Sequence, residues 1–120
     1  MSKQIIINVG LNDSVTMNQR FGTEKYLVIL KKVCQNYRVP FSVQLINGGY
    51  FHENGQYTEE NTLQLTLNDI SDELIREIAN DLCMFFHQES VMVSVSESEV
   101  YFVKENLDKD DIDSDPDIQE

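Results

Sequence analysis

Residues 41–67, FSVQLINGGYFHENGQYTEENTLQLTL, decide the fold. Phe41, Val43 and Leu45 fall on one side of an extended chain, and Leu63, Leu65 and Leu67 repeat the pattern later, with Thr62, Gln64 and Thr66 on the opposite side. A period of two is the mark of a strand with one buried face. Between the two runs, Asn54-Gly55 is a hairpin signal because both residue types tolerate positive φ, and Gly48-Gly49 suggests a bulge or bend. The centre of the chain therefore reads as an antiparallel hairpin, and its flanks determine the architecture.

On the N-terminal side, Gln4 to Leu11 alternates with Ile5, Ile7, Val9 and Leu11 on one face. A polar loop from Asn12 to Gly22 follows. Thr23 is a candidate N-cap, after which Tyr26, Leu27, Leu30, Val33, Cys34 and Tyr37 recur at helical spacing until Pro40 forbids continuation. On the C-terminal side, Ser71 is placed to cap a second helix whose acidic first turn, Asp72 and Glu73, suits the positive end of the helix dipole. Leu74, Ile75, Ile78, Leu82 and either Phe85 or Phe86 form its apolar stripe. Val91, Val93 and Val95 then make a fourth strand, and Glu97-Ser98 is expected to turn the chain into a short fifth strand, Val100 to Lys104. Strand, helix, strand, strand, helix, strand is two split βαβ units. That order predicts a ferredoxin-like α+β sandwich over residues 1–104, an antiparallel sheet with two helices on one face and a short C-terminal strand added.

The other sheet face would carry Ile6, Asn8, Ser42, Gln44, Ile46, Thr62, Gln64, Thr66, Met92 and Ser94. These are uncharged, unlike an ordinary solvated surface. Two readings stand side by side: a solvated face, or contact with another protein surface such as a second copy in a homodimer. RNA recognition on a sheet needs stacked aromatics flanked by Arg or Lys, which this face does not offer, so direct nucleic-acid binding is not expected.

The string Phe85-Phe86-His87-Gln88-Glu89-Ser90-Val91-Met92-Val93, with Gly49-Tyr50, Asn54-Gly55 and Glu59-Glu60-Asn61-Thr62, resembles a widespread set of small bacterial and phage-borne domains of unknown function that end a helix in Phe-x-Gln-Glu-Ser-Val. The resemblance spans roughly residues 5 to 103 and is carried most specifically by Gln88-Glu89-Ser90-Val91. It implies a ferredoxin-like fold and no particular activity.

His87, Glu89 and Ser90 are residue types that serve nucleophilic catalysis, but neighbours at a helix-to-strand junction diverge, whereas a triad is defined by convergence in space. Gln88 and Glu89 are instead expected to satisfy backbone groups freed where the helix ends. No catalytic residue is assigned, and the protein reads as a non-enzyme. His52-Glu53 and His87-Glu89 lack the short fixed spacing of a zinc site. Asp111, Asp113, Asp115 and Asp117 imitate a calcium loop, but Pro116 stands where such a loop needs glycine. No metal or cofactor is expected. Cys34 and Cys83 sit inside helical apolar patterns and read as small core hydrophobes.

Charge supplies the functional clue. The chain carries a net charge of −12, and residues 105–120 hold eight carboxylates against Lys109 alone, so −7 lies in this tail and −5 in residues 1–104. Asp-rich sequence with few apolar residues is expected to remain disordered. Further carboxylates cluster at turns: Glu53, Glu59 and Glu60 at the middle hairpin, and Glu97 and Glu99 after the fourth strand. Together with Asp108, Asp110, Asp111, Asp113, Asp115 and Asp117 they form the expected partner-binding set. Such a surface repels phosphate backbones and attracts the basic surface of a nucleic-acid-binding protein. The leading expectation is a non-catalytic acidic binding module, an inhibitor of the anti-CRISPR or anti-restriction, DNA-mimic type carried by a phage or mobile element. The alternative is a homo-oligomeric enzyme or small-molecule binder with a pocket of His52, Tyr57 and His87. No leader-like or membrane-spanning run stands out, so the cytoplasm is the expected location.

Overall fold

The computed structural model describes residues 2–104; the expected acidic sites from Asp108 to Asp117 lie outside the described residues. Six elements follow in order: β1 (Ser2–Gly10), α1 (Thr23–Asn36), β2 (Ser42–Phe51), β3 (Tyr57–Asn68), α2 (Asp72–Phe85) and β4 (Met92–Ser98). The strands form one antiparallel sheet in the order β2-β3-β1-β4, with two helices against it, the ferredoxin-like arrangement. No described helix is long and apolar enough to cross a membrane.

Period-two alternation sorts the sheet as expected. Ile5, Ile7, Val9 and Leu11, with Leu63, Leu65 and Leu67, are fully buried beneath Tyr26, Leu30, Val33 and Cys34 of α1 and Ile75, Ile78 and Leu82 of α2. Registers Ile6↔Thr66, Asn8↔Gln64, Gln44↔Gln64, Ile46↔Thr62 and Ile6↔Ser94 place the uncharged residues together on the opposite face. There Gln44 donates to Gln64 at 2.6 Å, while the buried Oδ1 of Asn8 has no hydrogen-bond partner among the described residues. Cys34 is buried, which pushes its thiol pKa up to about 11, and neither Cys34 nor Cys83 forms a disulfide.

The helix boundaries depart from expectation at α1 and agree at α2. Thr23 is the first helical residue, and extended Gly22 is the N-cap with no side-chain hydrogen bond. The start is fixed instead by Phe21, one residue before the cap, packing on Tyr26 with ring centroids 6.0 Å apart, a hydrophobic staple. Ser71 caps α2 as expected, its Oγ accepting from the Leu74 N–H at 3.1 Å. Both helices end in the same way. Arg38 (φ 56°) and His87 (φ 54°) take left-handed conformations. The N–H groups of Val39 and Gln88 reach back to the carbonyls of Cys34 and Cys83, closing Schellman motifs without glycine.

Three further expectations are corrected. The β2–β3 register runs unbroken from Ser42↔Thr66 to Phe51↔Tyr57, so Gly48-Gly49 makes no bulge; at Gly49 the Tyr57 ring occupies the space a Cβ would need. In the hairpin loop only Gly55 is left-handed (φ 86°), with Gly55 N–H donating to His52 O and His52 N–H to Gln56 O, a longer turn than a two-residue Asn-Gly reversal. Residues 100–104 form no strand. β4 runs straight through Glu97 and Ser98, so no turn returns the chain to the sheet.

Candidate functional site

The expected polar loop, residues 12–22, is an ordered structure built around one carboxylate. Asp13 is buried, and its Oδ1 accepts from the N–H groups of Val15 (2.8 Å) and Thr16 (3.0 Å) while Arg20 lies 3.6 Å from Oδ2. The Thr16 and Val15 amides, with the Arg20 charge adding a smaller part, hold its pKa below the usual carboxylate range. Because the folded pKa is depressed, the stabilisation is present above the unfolded value near 3.8 and is lost as pH falls through the folded value. A thermal melting series from pH 6 to pH 2.5 is expected to show a steeper acid decline for the parent than for Asp13→Asn, whose melting temperature starts lower. Superimposable profiles would show that the loop carboxylate contributes nothing.

Three remote segments meet at the Gly10 end of the sheet. The Ser14 N–H donates to the carbonyl of His87 at 3.1 Å, and the Gln88 side-chain amide donates to the carbonyl of Asn12. From the hairpin side, Glu60 Oε2 accepts from the Asn12 N–H at 3.0 Å, and Asn61 donates to Gln19 Oε1 at 3.0 Å. A Cβ at residue 10 would come within 2.6 Å of the Glu60 carboxyl carbon, so the absence of a side chain at Gly10 is what lets that carboxylate lie across β1.

The result is a cleft of about 360 Å³ lined by Asn12, Asp13, Ser14, Met17, Tyr50, Glu60, Gln88, Glu89 and Ser90. Its lining holds three carboxylates, one phenol and one thioether, and no Lys or Arg. Asp13 is committed to its own loop, whereas Glu89 is exposed and Glu60 keeps its second oxygen free of any hydrogen bond among the described residues. Gln88 donates to the Phe86 carbonyl at the helix end at 3.4 Å, as expected, and also reaches the Asn12 carbonyl of the remote loop. Glu89, expected to do the same, instead faces the cleft.

A second hollow of about 570 Å³ adjoins at Met17 and is lined by His52, Tyr57, Thr58 and Glu59 among others. His52 Nε2 lies 2.8 Å from Thr58 Oγ1, and the Tyr57 hydroxyl donates to Glu59 at 3.3 Å. Burial, and then the Glu59 charge, raises the Tyr57 pKa. The pocket expected from His52, Tyr57 and His87 is thus corrected: His52 and Tyr57 share a hollow, but His87 lines neither. The reason is its helix-terminating role, which leaves its side chain exposed while its carbonyl holds Ser14.

The expected acidic partner-binding residues are not gathered into one patch. Glu53, Glu59 and Glu60 sit at the hairpin, near the Gly10 end of β1, whereas Glu97 pairs with Lys3 at the opposite end and Glu99 follows it. The seven residue steps from Lys3 to Gly10 separate the two groups by about 23 Å.

No protein-family model and no curated protein matches the chain. Solved structures do. A phage SAM lyase in complex with S-methyl-5'-thioadenosine overlays with a TM-score of 0.61 at 23% identity, over 80% of this chain and 81% of that one. The apo state of a phage SAM lyase gives 0.61 and 23% over 88% and 90%. The periplasmic divalent cation tolerance protein CutA from Archaeoglobus fulgidus gives 0.56 and 12% over 85% and 88%. At these identities the likeness is one of fold.

Proposed function

We propose that the chain is a lyase of S-adenosylmethionine, binding it in the cleft between the 12–17 loop, the β2–β3 hairpin and residues 88–90. The observation that carries this reading is the lining: Glu60 and Glu89 face a cleft with no basic residue beside Tyr50 and Met17, a setting for a cation joined to a flat aromatic body. The fold shared with a phage SAM lyase supports it. S-adenosylmethionine carries a sulfonium and an ammonium. In the cleavage, the bond from sulfur to the amino-acid carbon breaks, its electron pair stays on sulfur, and neutral S-methyl-5'-thioadenosine is left. No water enters; the amino-acid fragment completes its carbon from within, by closing its own carboxylate onto it or by losing a proton.

This reaction cancels charge at sulfur, so an anion pressed against the sulfonium would favour substrate over transition state. Glu60 and Glu89 therefore serve best on the ammonium and the ribose hydroxyls, with Tyr50 and Met17 alongside the sulfonium. Incubation of purified protein with S-adenosylmethionine, followed by mass spectrometry, is expected to show S-methyl-5'-thioadenosine growing with time. Neither product nor calorimetric binding at millimolar substrate would end this reading.

A second reading follows from the net charge of −12. As an acidic module the chain would occupy the basic surface of a nucleic-acid-binding protein, as an anti-restriction or anti-CRISPR inhibitor does. That version needs salt-sensitive capture of a protein partner that weakens when residues 105–120 are removed. The lyase version is indifferent to both.

A further inference from the structure

The positive charge of this acidic chain is gathered around one helix. Residues 20–39 hold Arg20, Lys25, Lys31, Lys32 and Arg38 against Glu24 alone, a net +4 in a chain of −12. Lys31, Lys32 and Arg38 are exposed, and none of them pairs with a carboxylate among the described residues. Ile29, Lys32 and Asn36, on one stripe of α1, line a groove of about 590 Å³ against α2. Its floor is apolar, from Ile29, Val33 and Phe85, with Lys32 on one bank and Asp81 on the other. The Asp81 carboxylate is already engaged, accepting from the Tyr37 hydroxyl at 2.6 Å. The groove is therefore an apolar seat beside a cationic bank.

The sequence beyond Lys104 has the complementary make-up. Residues 105–120 carry a net −7 and three aliphatic residues, Leu107, Ile112 and Ile118, and Ile112 stands between Asp111 and Asp113. The chain also leaves the sheet at the matching end. Ser98 lies opposite Ser2, while α1 starts after the loop at the Gly10 end and delivers the chain to Ser42, level with Thr66 and Ile6. Lys31, Lys32 and Arg38 thus fall in the half of the helix layer nearer Ser98. Because α2 packs on β1 and α1 packs on α2, the groove lies one layer above the sheet, within about 20 Å of Ser98. Ile112 follows Ser98 by fourteen residues, a reach of up to about 46 Å. A tether of this length holds an acidic segment at an effective concentration of about millimolar, an advantage over any separate anion. Glu73 and Glu77, exposed on α2, repel such a segment towards the α1 bank.

We infer that residues 105–120 dock on the helix layer of their own chain, with the Ile112 side chain seated in the groove between Val33 and Phe85 and with Asp110, Asp111 and Asp113 against Lys31 and Lys32. Exposed ion pairs contribute little one by one, so the apolar seat sets the register while the summed charge drives the approach. The contact covers the basic face of the protein and leaves the cleft of the 12–17 loop untouched. An outside basic surface would have to compete with α1 for the same carboxylates.

Isotope-edited NMR on the full chain tests this. At low salt the Ile112 methyl groups are expected to show nuclear Overhauser effects to the Phe85 ring and the Val33 methyls. These should fade in about 0.5 M sodium chloride, where the Debye length falls below about 5 Å. Lys32→Glu should move the Ile112 methyls towards their random-coil shifts. Ile112→Asp, outside the folded layers, should shift the Ile29, Val33 and Phe85 resonances while those of the sheet stay in place, so one variant still reports if the other fails to fold. Mixing labelled with unlabelled chains identifies the source of the contact. Effects confined to one chain support the inference, whereas effects between chains overturn it in favour of a second copy's tail. Ile112 methyls at random-coil shifts with no effect to either helix would overturn it outright and leave the α1 face to an outside anion.

Discussion

Phe86→Ala is expected to destabilise the protein by about 3–5 kcal/mol, the usual cost of emptying a fully buried aromatic site. Phe86 is 1% exposed, and its ring lies 5.2 Å from that of Tyr26 in a tilted contact, so its removal takes away both the packing of α2 and the far side of the α1 staple. Domains of this size are stable by about 5–15 kcal/mol, so the variant retains at best part of its margin. Urea unfolding followed by circular dichroism should show a large fall in midpoint with the slope unchanged. Phe85→Ala, one residue earlier and 48% exposed, is the matched control and should move the midpoint little. Equal shifts for the two would mean that the end of α2 does not pack as described.

This pair of residues marks the limit of what could be read in advance. Helical spacing from Leu82 reaches Phe85 at three residues and Phe86 at four, and both fit the stripe. Only the contact with Tyr26, which is remote in sequence, selects Phe86. The elements themselves were legible because period-two and period-3.6 patterns depend on local sequence alone. Thr23 looked like a cap because its type caps helices, but the Phe21–Tyr26 contact sets the start one residue earlier. Val100–Lys104 has the composition of a strand, yet a strand exists only where an edge can receive it, and composition does not report edges. The cleft was hidden for a related reason. Its residues come from 12–17, 50, 60 and 88–90, and the local string Gln88-Glu89-Ser90 shows neither what faces it nor that Glu60 does. One signal was present: Gly10, closing a strand that carries Ile5, Ile6, Ile7 and Val9, suggests a close approach to that backbone.

That glycine provides the sharpest functional test. On the proposed lyase reading, Gly10→Ala is expected to leave the fold almost untouched while lowering formation of S-methyl-5'-thioadenosine by about 100-fold, the scale of loss when a positioning group is displaced by about an ångström. The new Cβ would lie 2.6 Å from the Glu60 carboxyl carbon and 2.6–2.7 Å from its oxygens, so the carboxylate must leave. Because these atoms end a flexible side chain, the displacement itself costs little, and alanine loses less backbone freedom on folding than glycine does. The melting temperature should therefore hold, although the bond from the Asn12 N–H to Glu60 is lost. Glu60→Gln separates charge from position: the amide oxygen can still accept from Asn12, but the charged partner for an ammonium is gone, weakening binding by about 1.5–3 kcal/mol. Calorimetry should register both variants as a loss of affinity for S-adenosylmethionine. An active Gly10→Ala protein would show that Glu60 can leave the sheet without consequence, and the cleft would then have to work through Glu89 and Tyr50 alone.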